Sequence, residues 1–349
     1  MVQDAAPTNS SPVVIVGGGL AGWTMARELR QRDAGVELVM ICADSGDFYS
    51  KPMLSNALAA GKEADQIIQA AAAVRAQGLR MRHLGHTRVQ SLDRAEHLLQ
   101  TTSGPVYYGR LVLAIGADAI RLPTPGIEHA ISVNDVDDYR NFRAALTAAG
   151  PGARVVTIGG GLIGSEFAND LAVAGYRVSI VDPAPWLLGS LVPREQGEAL
   201  QAALSGLGVQ LHLGDVAERI ERLPLGGFAL PLRSGRTIEA DVVLCAVGLR
   251  PRTQLAQEAG LATGRGITVD DMGRTSDPDI YALGDCAAYR SAARQEIAEG
   301  APRPLPFVMP IMTAAKAIAA TLAGVETPIR FGPMPVRVKT PALPLTVQG

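Results

Sequence analysis

Cysteine is the first scarcity. Only three occur in 349 residues, Cys42, Cys245 and Cys286, and they have neither the spacing of a metal site nor that of a CxxC redox pair. That excludes a disulfide framework and a cysteine metal centre, and it suits the reducing cytosol. An excess of one charge is also missing. With 32 basic side chains against 34 acidic ones and a net charge of −2, no global field draws the chain onto nucleic acid or anionic lipid. Any charged docking must be local. Apolar runs such as ADVVLCAVG fall far short of the ~20 residues that a membrane-spanning helix requires. The opening MVQDAAPTNSSP lacks the basic start and apolar core of a signal peptide, and residues 1–10 are expected to form a disordered tail. The expectation is a soluble cytoplasmic protein without a nucleic-acid or membrane partner.

What the chain does have is glycine, 38 residues of it, and some of it is placed in a pattern. VVIVGGGLAGWTMARELR (13 to 30) overlies VVTIGGGLIGSEFANDLA (155 to 172), an internal repeat in a chain long enough for two or three domains. Each copy follows a short apolar strand and opens an amphipathic helical segment, the βαβ setting that gives the glycines a physical role. Gly17 and Gly159 permit the tight turn. Gly19 and Gly161 let backbone amides approach a pyrophosphate, and Gly22 and Gly164 let helix pack on strand. A bare GxGxxG decides little, but two copies in this context point to two bound dinucleotides.

A carboxylate at the end of the second strand of such a unit accepts hydrogen bonds from an adenosine ribose. GYRVSIVDP supplies Asp182 in the second copy, and no lysine or arginine follows before Arg194 to receive a 2′-phosphate. NADH is therefore expected over NADPH. The first copy is less regular: GVELVMICADSG puts Cys42 and Ala43 near the expected position and Asp44 just beyond, so Asp44 is either the ribose ligand or a solvated turn residue. Farther along, TSDPDIYALGDCA (275 to 287) reads as an apolar strand ending in Gly284 and Asp285. LVLAIGA (111 to 117) and VVLCAVGLRP (242 to 251) are short strands that each run into a glycine and bracket the second unit.

This order resembles that of the two-dinucleotide flavoprotein reductases of the glutathione-reductase-like superfamily, along almost the whole chain. VVIVGGGLAG, YSKPMLS, GGGLIGSEFANDL, AVGLRPRT, TSDPDIYALGDCA and GPMPVRVKTPALPL are together most similar to the bacterial rubredoxin reductases and their flavorubredoxin-reducing relatives. The resemblance implies an α/β fold with two Rossmann-like domains, the NADH domain (121–245) inserted in a discontinuous FAD domain (11–120 and 246–327). Residues 328–349 are then the start of a C-terminal αβ interface domain that relatives continue for several tens of residues. Asp285 matches the ribityl-binding aspartate, Gly116 the crossover strand against the cofactor, and Val308 a backbone contact to the flavin. Leu20, Ala21, Val89, Ala114, Gly248 and Gly284 match further cofactor contacts. The stretch AYRSAARQEIAEGAPRPLPF (288 to 307) is expected as an exposed loop.

In thiol-dependent relatives a cysteine lies over the flavin in the region of DFYSKPMLS (47 to 55), which has none here. The three cysteines read as small buried side chains. Lys51 matches instead the position whose amine approaches the reactive flavin nitrogen, and Glu166, where the first copy has Thr24, matches an acid that reaches the nicotinamide and pairs with that lysine. A carboxylate there is otherwise explained as first-turn helix charge. Lys339, in VKTP, matches a residue near the flavin, and with Arg330 and Arg337 it forms an acid-free basic tail suited to an acidic acceptor. The implied activity is transfer of hydride from NADH to FAD, then of single electrons to a rubredoxin-type iron protein. The alternatives are a ferredoxin reductase, an NADH oxidase, or a non-catalytic FAD/NADH sensor.

Overall fold

The computed structural model describes residues 11–290 and 301–348. They form two compact units that interleave along the chain. One takes the chain up to Tyr49, then Ile68–Asp118 and Pro251–Met334; the other takes Ser50–Ile67, Ala119–Arg250 and the chain from Pro335 onward.

The first unit is built on five parallel strands in the order Ile280–Ala282, Arg110–Leu113, Val13–Val16, Leu38–Ile41 and Arg82–Leu84. VVIV and LVMI are buried at every position, as short apolar runs in a parallel sheet covered on both faces must be. Helix Leu20–Arg32 sends Trp23, Met25, Ala26 and Leu29 into the core, and helix Val308–Leu322 adds Ile311, Ala314, Ala315 and Ile318. Each large side chain so buried contributes about 1.5–3 kcal/mol. An antiparallel meander of Val89–Asp93, Leu98–Thr101 and Gly104–Tyr107 completes the plan.

The second unit repeats the theme with four parallel strands, Gln210–Leu213, Arg177–Asp182, Arg154–Ile158 and Val242–Cys245. Helix Val136–Ala149 starts at Asp135, whose carboxylate accepts from the Asp138 amide at 2.8 Å, a cap worth about 1 kcal/mol. A hairpin of Pro335–Val338 and Leu345–Gln348 buries Val338 and Val347 in this unit's core.

Three expectations need correction. Ser50–Ile67 packs with the second unit rather than the first, because the buried Asp170 carboxylate accepts from the amides of Leu58 (2.9 Å) and Ala59 (3.0 Å). The 328–349 segment is divided at Pro335, since Ile329 belongs to the first core while Val338 and Val347 belong to the second. The 288–307 stretch is not simply an exposed loop. Ala287–Tyr289 is a buried strand, and Tyr289 packs edge-on against Phe331 at 5.0 Å between ring centroids. Residues 291–300, like the expected tail at 1–10, lie outside the described residues.

Candidate functional site: two phosphate cradles and a buried acid

The two glycine turns share one geometry. Gly17 has φ +113° and Gly159 φ +108°, in the region that favours glycine. A methyl group on Gly22 would overlap the carbonyl oxygen of Gly17, and one on Gly164 that of Gly159, which is the close helix-to-strand packing that the third glycine permits. Gly19 and Gly161 begin their helices with nearly equal angles, φ −77°, ψ −172° and φ −74°, ψ −167°. No described atom lies within 4 Å of a side chain placed on either. Neither helix has a side-chain cap or an acid in its first turn among the described residues. Each therefore offers open, positively polarised amides, a cradle that fits a pyrophosphate.

The first cradle is bordered by Ala114, and Gly284 lies against Ala21. The Ala114 carbonyl oxygen sits where a methyl on Gly17 would fall, and the Ala114 amide donates to Val16 O at 2.9 Å. Gly284, φ +79°, is so close to Ala21 that an added methyl would lie 2.9 Å from the Ala21 Cβ and 4.0 Å from Ile311. The turn Gly284–Cys286, which carries Asp285, thus meets the start of helix Leu20–Arg32 and the first turn of Val308–Leu322. Leu20 is half-buried at the first helical position, and Val308 is exposed at the start of its helix. Gly116 has φ +72° with no described atom near its missing side chain. Val89, half-buried, opens the meander.

The ribose candidates differ. Asp182 ends strand Arg177–Asp182 and accepts from the amides of Gly160 (2.5 Å) and Ala184 (2.7 Å). An ionised carboxylate has about four acceptor positions, so two remain for ribose hydroxyls. Asp44 is exposed and closes a local turn by accepting from the Gly46 amide at 2.9 Å. Both of the readings left open for it are compatible with that turn. Gly248, φ +107°, follows strand Val242–Cys245.

Glu166 is not first-turn charge. Its side chain is 0% exposed, and every residue from Gly164 to Leu171 is buried, so helix Leu162–Val173 is not the amphipathic element that its pattern suggested. The Glu166 carboxylate accepts from Ser55 Oγ at 2.6 Å, from the Lys339 amide at 2.9 Å and from the Lys339 ammonium. The expected Lys51–Glu166 pair is therefore replaced by a Lys339–Glu166 pair. Lys51 Nζ donates to Asn134 Oδ1 at 2.7 Å, and the Asn134 amide donates to Asp138 at 2.9 Å. Ser55, Asn134, Asn169 and Asp170 escaped notice in the sequence. The signal for the last two was present: Glu166, Asn169 and Asp170 sit at i, i+3 and i+4 of a mostly apolar helix, one polar face.

All three cysteines are buried and free. Burial, aided by Asp44, pushes the Cys42 thiol up to about 12, and burial pushes Cys286 to about 11 and raises Cys245. None is a poised thiolate. Among the described residues no cluster suits a metal ion, and no helix is long and apolar enough to cross a membrane.

Residues 11–319 match the family described as pyridine nucleotide-disulphide oxidoreductase, and residues 328–349 match a rubredoxin-binding C-terminal domain. The chain is 43% identical over 339 residues to the rubredoxin-NAD(+) reductase of Alcanivorax borkumensis, covering 96% of this chain and 85% of the relative. It is 39% identical over 340 residues to the nitric oxide reductase FlRd-NAD(+) reductase of Aeromonas hydrophila, covering 97% and 84%. A ferredoxin reductase from Rhodopseudomonas palustris superposes with a TM-score of 0.85 at 29% identity, covering 94% of this chain and 79% of that structure.

Proposed function

Since this chain belongs to the pyridine nucleotide-disulphide oxidoreductase family, we propose that it is a cytoplasmic NADH:rubredoxin oxidoreductase. In this reading the first unit holds FAD on the cradle of Gly17, Gly19 and Gly22. The second holds NADH on that of Gly159, Gly161 and Gly164. Flavin, once bound, supplies the conversion of a two-electron hydride donor to single-electron transfer, so that one NADH reduces two ferric acceptors and releases NAD(+) and one proton.

The protein's part is placement and charge. The open amides at Gly19 and Gly161 hold the pyrophosphates. Asp182 accepts from the ribose of NADH and repels the 2′-phosphate of NADPH, each charge-assisted hydrogen bond contributing ~1.5–3 kcal/mol. Asp285, at the tip of its turn, accepts from the flavin side chain, with Leu20, Ala21, Ala114, Gly116, Gly284 and Val308 shaping the cleft. Lys51 supplies a positive charge for the reduced ring. Glu166 acts through what it holds: it fixes Ser55, and with it the loop that carries Lys51, and it fixes Lys339 in the segment proposed to meet the acceptor.

The observation that carries the acceptor assignment is the match of residues 328–349 to a rubredoxin-binding domain, on a chain whose cysteines are all buried. With every cysteine buried, no thiol would relay electrons between bound flavin and the acceptor. A ferredoxin-type acceptor is the second reading, favoured by the likeness to a ferredoxin reductase. Flavin bleaching by NADH in a stopped-flow instrument, followed by mixing with rubredoxin, ferredoxin or oxygen, tests all of this. Fast bleaching with rubredoxin as the best oxidant is expected; a colourless protein that cannot be reconstituted with FAD would end the proposal.

A further inference from the structure

Helix Leu162–Val173 spends its buried polar face on two separate stretches of chain. Asp170 accepts from the amides of Leu58 and Ala59, at 2.9 and 3.0 Å. Asn169 Oδ1 accepts from the Ala342 amide at 3.1 Å. One turn earlier in the helix, Glu166 takes Ser55 from the first stretch and Lys339 from the second. Asn169 and Asp170 are almost fully buried. A side chain of that polarity in a core is costly unless fully bonded, so both are committed to these partners.

Both stretches are stiff between anchor and lysine. From Lys51 the chain runs through a tight turn, with the amides of Met53 and Leu54 donating to Ser50 and Lys51, and Asn56 donating to Met53. Tyr139 Oη donates to the Lys62 carbonyl at 3.2 Å, which fixes the far end. From Lys339 the chain turns at once: Leu343 N donates to Thr340 O at 3.0 Å, Thr340 Oγ1 donates to Leu343 O at 2.8 Å, and Thr340 is buried. A shift at either anchor is passed to its lysine rather than absorbed.

We infer that Asp170 and Asn169 are positioning residues with separate duties: Asp170 sets the Lys51 loop through the amides of Leu58 and Ala59, and Asn169 sets the Lys339 segment through the amide of Ala342. This rests on the proposed reading, in which Lys51 serves the flavin and the 328–349 region meets the acceptor. It adds that one helix of the nucleotide-binding unit registers both. The arms are separable because, among the described residues, Asp170 accepts hydrogen bonds only from the first stretch and Asn169 only from the second.

The test uses the FAD-loaded full chain. Asp170→Asn keeps size but offers one carbonyl oxygen to two amides, and Asn169→Ala removes the acceptor from an amide on an exposed residue that water can reach. Losing one such hydrogen bond changes a rate or an affinity about 3- to 10-fold. Asp170→Asn should slow flavin bleaching by NADH by that factor and leave the KM for rubredoxin unchanged. Asn169→Ala should raise the KM for rubredoxin by that factor and leave bleaching unchanged. Thermal melting and bound flavin, measured alongside, report any general loosening. If each variant alters both half-reactions together, or lowers only the folded fraction, the division of duties is wrong. If the unsubstituted protein itself fails to bleach with NADH, the proposed reading fails instead.

Discussion

The two helices that follow the glycine turns begin alike and end in different employment. Their first glycines differ by a few degrees in φ, their third glycines each meet the carbonyl of the first, and their N-terminal amides are equally open. Beyond the first turn they part. Helix Leu20–Arg32 buries Trp23, Met25, Ala26 and Leu29 as ordinary core, and its Thr24 makes a single weak bond to the Met312 sulfur at 3.7 Å. Helix Leu162–Val173, where Glu166 replaces Thr24, buries an acid, an amide and a second acid and bonds each of them. Phosphate binding fixes only the start of such a helix; the rest is free to become either core or scaffold.

If the cradles are equivalent, Gly22→Ala and Gly164→Ala should be the most damaging substitutions and similarly so. Each forces a methyl into a backbone carbonyl and should cost about 4 kcal/mol or more, read by thermal unfolding together with flavin absorbance; tolerance at one site alone would show that the turns differ. Next is the fifth helical position. Glu166→Gln strips the charge partner from Lys339, whose side chain is 24% exposed, and should cost ~1–3 kcal/mol. Thr24→Val should cost less than ~1 kcal/mol. Parity between those two melts would remove the contrast.

The two carboxylates considered for ribose come third. Asp182→Ala should raise the KM for NADH about tenfold and narrow the preference over NADPH, whereas Asp44→Ala should leave both unchanged. The smallest effect is at the thiols, Cys42 in the first unit and Cys245 in the second. At pH 8 iodoacetamide should label neither in the native protein and both after denaturation. Burial raises Cys42 from 9.0 to about 12, so the folded state keeps the thiol protonated while an unfolded chain ionises it. The corresponding stability is intact below pH 9 and is lost from there toward pH 12, which Cys42→Ala should lessen.

The glycines, Asp182 and the Gly284–Asp285 turn were legible because they obey local rules: a φ, a strand end, a helix start. The parallel sheets followed from short apolar runs for the same reason. Glu166 was legible as a position and not as an environment. Its partners Ser55 and Lys339 lie far away in sequence, and spacing carries no information about which of two lysines arrives. Asn169 and Asp170 sat inside a motif that was recognised, yet their bonds go to backbone amides of Leu58, Ala59 and Ala342, donors that every sequence contains everywhere and so cannot announce. The same blindness placed Ser50–Ile67 with the wrong unit.

That misplaced stretch also bears on how the chain reaches its native state. Leu58 must wait for Asp170, 112 residues later, before its amide finds its native acceptor, and closing a loop of that length carries an entropy cost that local turns avoid. During synthesis the Lys51 region is therefore left unanchored until the second nucleotide helix has been made. Ordering of the Lys51 loop should therefore be a late step, set by contacts distant in sequence.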